Sequence, residues 1–431
     1  MVTLGKDSEL FNSLVEENDK LCLYPWSGLV VNPDGRITPC CHAPKQTISH
    51  ISEVESLNDF FNESPKIDTM RKAFKNKIIP CDGCNNRYNA GFTPAFKRKN
   101  PNLPFDADNY FDKGKKIIRY LEFTPSNLCN QACVMCGSKY SSMWDSIDKI
   151  AIRNDELKFR YNDITNHRTT SVGTYKLSDK DWEKVVKCIE EGVTVLYIKG
   201  GEPFADERNI ELLERAVKGD FPHLQKISIT TNFKRMNKRI TNIIRKLKEE
   251  TKINLGVSIS IDGIGKQYEW IRSSPWENLV NNINHIIEEV PSFVYSVGIT
   301  QSIYNYFNLP EVFEVVSKLP NVGNIHGQLV TNPNYLCHAF VLPREVILKY
   351  NLLHKEKISN NKKYHPSQSN DWVYWDSDQW KSASGKPTWP DEFEQHKKNL
   401  KEFTSFMNRI RRFNIEDAVP EFGEYYEEFM K

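Results

Sequence analysis

An excess of either charge is missing from this 431-residue chain: 58 lysines and arginines face 56 aspartates and glutamates, a formal net charge of +2. A near-neutral balance gives no whole-molecule attraction to nucleic acid. The densest basic stretch, 234–248, reads as the solvated face of a helix. No window approaches the roughly 20 consecutive apolar residues that a bilayer-spanning helix needs. The first residues, MVTLGKDSELFNSLVEEND, show no basic flank followed by an apolar core, so no export signal is read there. The expectation is a cytoplasmic protein with no membrane and no nucleic-acid partner. Apolar residues are somewhat scarce at 39%, but 12% aromatics leave material for a core.

What the chain does have is ten cysteines. Without an export signal they argue for metal ligation in a reducing compartment rather than for disulfides. Cys129, Cys133 and Cys136 stand as C-x3-C-x2-C directly after an apolar, strand-like run. Chance at this cysteine frequency gives about 0.005 such triplets. Three thiolates on one short loop leave one iron of a four-iron cluster without a protein ligand, and an open metal position is where a reactant binds. A structural zinc ion is the other reading, although zinc sites typically repeat C-x2-C twice and this loop holds one such pair.

Strand-like runs at 117–123, 193–198, 226–231, 253–261, 294–300 and 324–330 alternate with helical patterns at 178–191, 209–217, 238–249, 276–289 and 310–319. Such alternation argues for successive βαβ units and a parallel sheet. Six units are too few for a closed eight-strand barrel. The expectation is an α/β fold: a partial (β/α)6 TIM-type barrel over 113–343. A small N-terminal α+β domain over 1–112 precedes it, and a mostly helical C-terminal extension over 344–431 follows. Parallel barrels carry their chemistry at the C-terminal ends of the strands. The cysteine loop, GGEP at 200–203, TTN ending at Asn232 and SIDG at 260–263 each follow a strand-like run. A polar insertion at 153–172 is expected to cross one rim. Past 343 the rhythm stops. Trp372, Trp375, Trp380 and Trp389 then punctuate a polar stretch, readable as a lid or as a packing face, before a helical tail near 391–413.

The triplet, taken with GGEP, TTN and SIDG, resembles the radical S-adenosylmethionine (SAM) superfamily. The resemblance implies that Cys129, Cys133 and Cys136 hold a [4Fe–4S] cluster whose fourth iron is chelated by SAM. Reductive cleavage of SAM would then give a 5′-deoxyadenosyl radical that abstracts a hydrogen from a substrate. It also implies that the backbone of Gly200, Gly201, Glu202 and Pro203 meets the SAM amino group, with Asn232 and Asp262 at further family positions. Ser260 would touch the ribose and Arg272 the SAM carboxylate, a match for the guanidinium fork. Asn232 and Asp262 equally suit capping of the turns that follow them, and Arg272 an ordinary ion pair. The chain departs from many relatives at Met135, where an aromatic residue usually lies over the adenine; a flexible thioether can fill the same space.

A second set, Cys22-x12-Gly35-x4-Cys40 followed by Cys81-x2-Cys84, resembles the first half of the SPASM/twitch pattern for an auxiliary [4Fe–4S] cluster. The NPDG turn between GLVV and RIT reads as a hairpin that brings Cys22 and Cys40 together. A full SPASM pattern would need another cysteine near position 90, where Ala90 stands. The chain therefore looks like the one-cluster twitch version, placed before the barrel rather than after it. Cys41 is the alternative to Cys40; the spacing from Gly35 favours Cys40 and leaves Cys41 an ordinary buried thiol. Structural zinc suits this quartet too. His42 and His50 lie outside ligand spacing, and Cys188 and Cys337 read as inert.

Strand alternation points Glu122, Lys199, Gln301, His326 and Gln328 into the barrel. Lys199 and His326 are the catalytic candidates. Lys199 can anchor a carboxylate or take a proton, or simply reach the rim as an amphipathic side chain; His326 can act similarly or sit as a satisfied core histidine. The resemblance implies an enzyme acting on a peptide or protein by crosslinking, epimerisation or oxidation. Its auxiliary cluster would accept an electron or anchor substrate, and a flavodoxin- or ferredoxin-type donor would supply electrons. The same chemistry on a small molecule is the alternative, and a non-catalytic iron–sulfur electron-transfer or scaffold protein a third reading. No cobalamin-binding domain is evident, nor a separate N-terminal peptide-recognition domain, which leaves small molecules open.

Overall fold

The computed structural model describes residues 2–429 except 42, 44–45, 90–93, 163–174, 331–332, 360 and 364–392. His42, Ala90, half of the polar insertion and all four tryptophans of the expected lid lie outside the described residues.

Strands β1 (Val2–Leu4) and β5 (Pro104–Asp106) pair antiparallel near the N-terminus. The others are β2 (Gly28–Val31), β3 (Arg36–Thr38), β4 (Ser49–His50), β6 (Tyr120–Phe123), β7 (Val195–Ile198), β8 (Lys226–Thr231), β9 (Asn254–Ser260), β10 (Tyr295–Gln301) and β11 (Val322–Leu329). They form one sheet in the order β11-β10-β9-β8-β7-β6-β2-β3-β4 among the described residues. The β6–β11 arc is parallel throughout and follows chain order. That is the expected six-unit partial barrel, with strand positions within a few residues of those read from the sequence.

The crossover helices sit where the patterns placed them: Asp179–Gly192, Glu207–Lys218, Lys238–Glu249, Trp276–Glu289 and Leu309–Ser317. Ser178, Asp206 and Asn237 cap the first three by accepting a backbone N–H from the first turn. In the basic helix, Ile240, Ile243, Ile244 and Leu247 face inward while Arg239 pairs with Glu207 and Glu214 at 2.7 Å each. Its charge is therefore a solvated face, as the pattern suggested.

Alternation sets the character of the barrel. On β8, Ile227, Ile229 and Thr231 are buried on one face while Lys226, Ser228 and Thr230 on the other stay partly exposed. Strands β9 and β10 alternate the same way. The apolar face packs under the helices, each buried isoleucine contributing roughly 1.5–3 kcal/mol. The inner face is small and polar, unlike the packed interior of a closed eight-strand barrel.

One feature differs from the expected separate N-terminal domain. Strand β2 pairs parallel with β6 from Gly28 opposite Tyr120 to Val31 opposite Phe123. The hairpin therefore continues the barrel sheet. An open arc leaves the outer edge of its first strand unpaired, and GLVV, buried along its whole length, covers that edge.

The C-terminal region is helical where described: Arg344–Ser359, Phe393–Arg411, Ile415–Ala418 and Pro420–Phe429. Leu400, Phe403, Phe406 and Met407 join Trp144, Trp270, Tyr304 and Phe340 in a second apolar cluster beside the main core. Among the described residues no helix is long and apolar enough to cross a membrane.

Candidate metal centres and cofactor site

The loop after β6 carries Cys129, Cys133 and Cys136, and its backbone is pinned from several directions. Asn127 donates to Ser138 O at 2.7 Å and accepts from Tyr175 N at 2.8 Å, closing the loop at its base. Ser142 Oγ accepts from Cys129 N at 3.1 Å, Trp144 Nε1 donates to Cys133 O at 2.9 Å, and Arg160 Nη2 donates to Cys136 O at 2.8 Å. Ser273 Oγ accepts from Ala132 N at 2.8 Å. Arg411 donates to Ala132 O and, through Nε, to Trp270 O at 2.8 Å. These contacts hold the loop through its backbone and not through its thiols. Cys133 is raised well above the ordinary thiol range by its hydrogen bond with Cys136 and then by burial; burial pushes Cys129 up to about 12. Thiols this reluctant to ionise become thiolates when a metal offsets the charge.

The GGEP turn is fastened to that loop. Gly200 and Gly201 adopt φ of +76° and +52°, and a Cβ on Gly201 would strike the Leu128 carbonyl. Gly201 N donates to Tyr140 O at 3.1 Å and Glu202 N to Leu128 O at 2.8 Å. Glu202 is 1% exposed, and its carboxylate accepts from Thr231 Oγ1 at 2.6 Å, Asn232 N at 2.7 Å and Phe204 N at 3.1 Å. It ties the ends of β7 and β8 together. Pro203, next to it, opens a buried single turn.

Asn232 caps the turn that follows it. Its Oδ1 accepts from Lys234 N at 2.9 Å, while Nδ2 reaches Asn130 Oδ1 at 2.8 Å and lies 3.9 Å from Cys129 Sγ. Asp262 accepts from Thr300 N at 2.6 Å and pairs with Arg272 at 2.6 Å. Arg272 Nη1 also lies 3.5 Å from Cys133 Sγ. Burial disfavours this guanidinium, but Asp262 and Cys133 outweigh burial and hold it charged. Its fork is thus engaged by Asp262 and the cysteine loop. Ser260 ends β9, partly exposed toward the barrel interior, and Met135 is buried in the second apolar cluster.

The second cysteine set gathers as the spacing required. The turn holds Gly35 at φ +77°, packed on the His50 ring, and β2 and β3 pair through Val30–Thr38 and Val31–Ile37. Cys22, Cys40, Cys81 and Cys84 are all buried in one apolar cluster. Burial first, then Cys41, Cys22, Cys81 and Cys84, push the Cys40 thiol well up, so the quartet shares one site. Asn100 positions Cys22, donating to Leu21 O at 2.7 Å and accepting from Leu23 N at 2.9 Å.

Cys41 departs from the expected inert buried thiol. It is partly exposed, lies 3.9 Å from the Tyr24 hydroxyl and faces Glu122, Lys199 and Lys99. Burial raises its pKa, but the two lysines and hydrogen bonding with Tyr24 and Glu122 bring it below the ordinary value.

Among the described residues no three His, Cys, Asp or Glu side chains converge closely enough to hold a single metal ion. A tetrahedral zinc ion gathers thiolates at about 2.3 Å from one point, whereas the corners of a four-iron cluster set its ligands further apart. Three thiols on one loop and four in one apolar cluster are donor sets of the kind that hold iron–sulfur clusters.

Of the two catalytic candidates, Lys199 forms an ion pair with Glu122, which is fully buried on β6. Burial works against the ammonium, but Glu122, Cys41 and Tyr197 outweigh it and hold Lys199 charged. That charge suits anchoring and not proton uptake. His326 is not the satisfied core histidine of the alternative reading: its Nδ1 is buried without a hydrogen-bond partner among the described residues. Gln301 is buried at the end of β10, and Gln328 on β11 is exposed, 3.4 Å from the Thr300 hydroxyl. Sequence reasoning missed Asn127, Trp144, Arg160, Lys99 and Arg411. None belongs to a spaced motif, and Arg411 is 279 residues away from the carbonyl it holds.

Residues 123–306 match the radical SAM superfamily domain, so this part of the chain carries a radical SAM domain. Residues 22–85 match the SPASM iron–sulfur cluster-binding domain, which here precedes the radical SAM domain. The superfamily domain brings a [4Fe–4S] cluster and SAM as cofactors, and the SPASM domain a further iron–sulfur cluster. No curated protein matches the chain in sequence. Among solved structures it is similar to Streptococcus suis SuiB bound to S-adenosylmethionine, at 14% identity over 58% of this chain and 50% of that one, TM-score 0.37. It is also similar to SuiB bound to precursor peptide SuiA, at 15% identity over 57% and 48%, TM-score 0.37. TYW1 with a lysine-pyruvate adduct bound is similar at 17% identity over 56% and 71%, TM-score 0.28. The chain spans about half the length of the SuiB structures.

Proposed function

We propose that the chain is a radical SAM enzyme that modifies a peptide or protein by hydrogen abstraction. When bound and reduced, the cluster and SAM supply a 5′-deoxyadenosyl radical that removes a hydrogen atom from the substrate. Cys129, Cys133 and Cys136 hold the SAM-binding cluster. Cys22, Cys40, Cys81 and Cys84 hold the auxiliary one, with Cys41 turned away from it. Gly200, Gly201, Glu202 and Pro203 present their backbone to SAM, with Met135, Asn232, Ser260 and Asp262 around it. Arg272 reaches the SAM carboxylate by sharing its guanidinium with Asp262. The reducing electron comes from a flavodoxin- or ferredoxin-type donor in the cytoplasm.

The observation that carries this reading is the direct stitching of the GGEP turn to the cysteine loop through Gly201 N and Glu202 N. An iron–sulfur scaffold would need the cysteines but not that turn. The peptide assignment is supported by the SPASM match, since the resemblance includes relatives that commonly act on ribosomal peptides. A neighbouring gene for a short peptide would favour it, and a small-molecule biosynthetic cluster would move the substrate to that class.

Anaerobic reconstitution tests the chemistry. The expected result is about eight irons per chain and 5′-deoxyadenosine after addition of SAM and dithionite. Cys129→Ala should abolish 5′-deoxyadenosine, whereas Cys81→Ala should spare much of the uncoupled cleavage. Bound zinc with no 5′-deoxyadenosine from the wild type would overturn the proposal.

A further inference from the structure

The side chains between the two cysteine sites are not used by either. Tyr24, Cys41 and Lys99 come to this seam from the N-terminal unit, and Tyr120, Glu122 and Lys199 from the barrel. We propose that Lys199 and Lys99 form an anion subsite here, and that the substrate carries a carboxylate that docks on it. The inference rests on the functional reading above and specifies its substrate.

Three features support a ligand site over a structural ion pair. First, the pair is lopsided. Glu122 is 1% exposed while the Lys199 side chain is 33% exposed. A buried pair that served only packing would bury both partners; here a dedicated carboxylate holds an ammonium out toward the polar interior. Second, the charges do not balance. Lys99 lies near enough to act on Cys41, Glu122 and His326 together. Lys99 thus adds a second cation to the seam where Lys199 pairs with Glu122, and an incoming anion is drawn to the two. Third, the far wall offers an unused polar atom. His326 faces Gly298 across the sheet, and its buried Nδ1 has no hydrogen-bond partner among the described residues. Burial, then Lys99, hold its pKa down to about 4, so it is a neutral imidazole able to bond a polar substrate group beside the carboxylate.

Position gives the subsite its purpose. Lys199 immediately precedes Gly200, so a group held by its ammonium lies beside the turn that meets SAM. The adjoining wall is hydroxyl-lined, with the Tyr197 hydroxyl hydrogen-bonded to Thr230 Oγ1 at 2.8 Å. The small inward residues of β8–β10 leave room for a chain to pass.

The test uses holoenzyme with both clusters reconstituted and SAM present. Two pools of acetylated, amidated hexapeptides are offered, one carrying Asp and Glu at the randomised positions and the other Asn and Gln. Peptides retained at equilibrium are counted by mass spectrometry. The acidic pool should be retained about tenfold better, the difference expected of a charge-assisted contact. Lys99→Met should reduce that preference severalfold, and Lys199→Met should abolish it while Lys199→Arg retains it. Because Lys199→Met leaves Glu122 without its cation and can fail to fold, Lys99→Met decides independently. A third pool, neutral but with a free C-terminus, separates terminal from side-chain carboxylates. Equal retention of acidic and amide pools, retention of neither, or a preference unmoved by Lys99→Met overturns the subsite. Uncoupled 5′-deoxyadenosine formation is read on the same protein. If it occurs without acidic preference, the subsite alone fails; if it does not occur, the functional reading fails first.

Discussion

Replacing Arg160 by methionine removes a cation from one of the driest places in the protein. The Arg160 and Asp148 side chains are 0% and 2% exposed and lie 3.7 Å apart, with the guanidinium 4.1 Å above the Trp144 ring and bonded to Cys136 O at 2.8 Å. Breaking a buried pair by removing one partner costs about 3–5 kcal/mol, because the remaining charge loses its compensation. Methionine keeps the stem's volume but not the charge. The double variant Arg160→Met, Asp148→Leu should recover part of that loss, since apolar replacement of both partners is often close to neutral. It should still fall short of wild type by about 1.5–3 kcal/mol, the worth of a charge-assisted hydrogen bond to the cysteine loop. Two measurements follow each variant: equilibrium urea unfolding of the apoprotein, and release of iron to a chelator from the reconstituted protein. The single variant should unfold at markedly lower urea, the double in between, and both should lose iron faster than wild type. A single variant within about 1 kcal/mol of wild type, or a double no better than the single, would show that Arg160 does not clamp the loop.

Gly201→Ala forces a side chain into a left-handed backbone and against the Leu128 carbonyl; equilibrium dialysis should show SAM affinity falling at least about tenfold, and unchanged affinity would clear the turn of its role. Glu202→Gln sets an amide N–H2 against Asn232 N–H, costing about 1–3 kcal/mol, which thermal unfolding would register unless the turn is held by other contacts. Asn100→Ala should lose about half the iron after reconstitution while uncoupled 5′-deoxyadenosine formation survives, because it releases Cys22 but not the loop after β6. The pH response is set partly by His354, 0% exposed, which burial and then His338 hold down to about 3 against an ordinary 6.5. The unfolded chain binds the extra proton first, so stability should fall as pH drops from about 6.5 toward about 3, by roughly 4–5 kcal/mol at most. His354→Leu should flatten that slope in denaturant titrations; an unchanged slope refutes the assignment.

Much of this was readable in the chain because the signals are local. Helices Lys238–Glu249 and Trp276–Glu289 start and stop where expected, since their apolar residues recur at helical spacing and Asn237 or Pro275 marks the entry. The triplet stood out by its spacing, and the N-terminal quartet by its resemblance to a known cluster-binding pattern. The direction of Cys41 did not. Cys40 opens a tight turn, its carbonyl accepting from Ala43 N at 3.2 Å, and which way the next side chain points there is set by the fold around it. Arg160, Lys99 and Arg411 were equally invisible, because a cation that acts across the fold leaves no mark beside itself in sequence. The pairing of β2 with β6 was hidden for a similar reason: a parallel partner leaves no turn residue between the two strands to announce it.

That pairing has a consequence for how the molecule is made. Strand β2 leaves the ribosome long before β6 exists, and synthesis runs from the N-terminus at a finite pace. Until Tyr120–Phe123 emerges, the apolar GLVV segment waits with one side of its backbone uncovered. Cys22 is translated just before that wait, and Cys40, Cys81 and Cys84 during it. Closure of this edge therefore waits for a strand made after all four cysteines of the N-terminal set. A ribosome that stalls before residue 120 leaves a sticky intermediate rather than a finished domain.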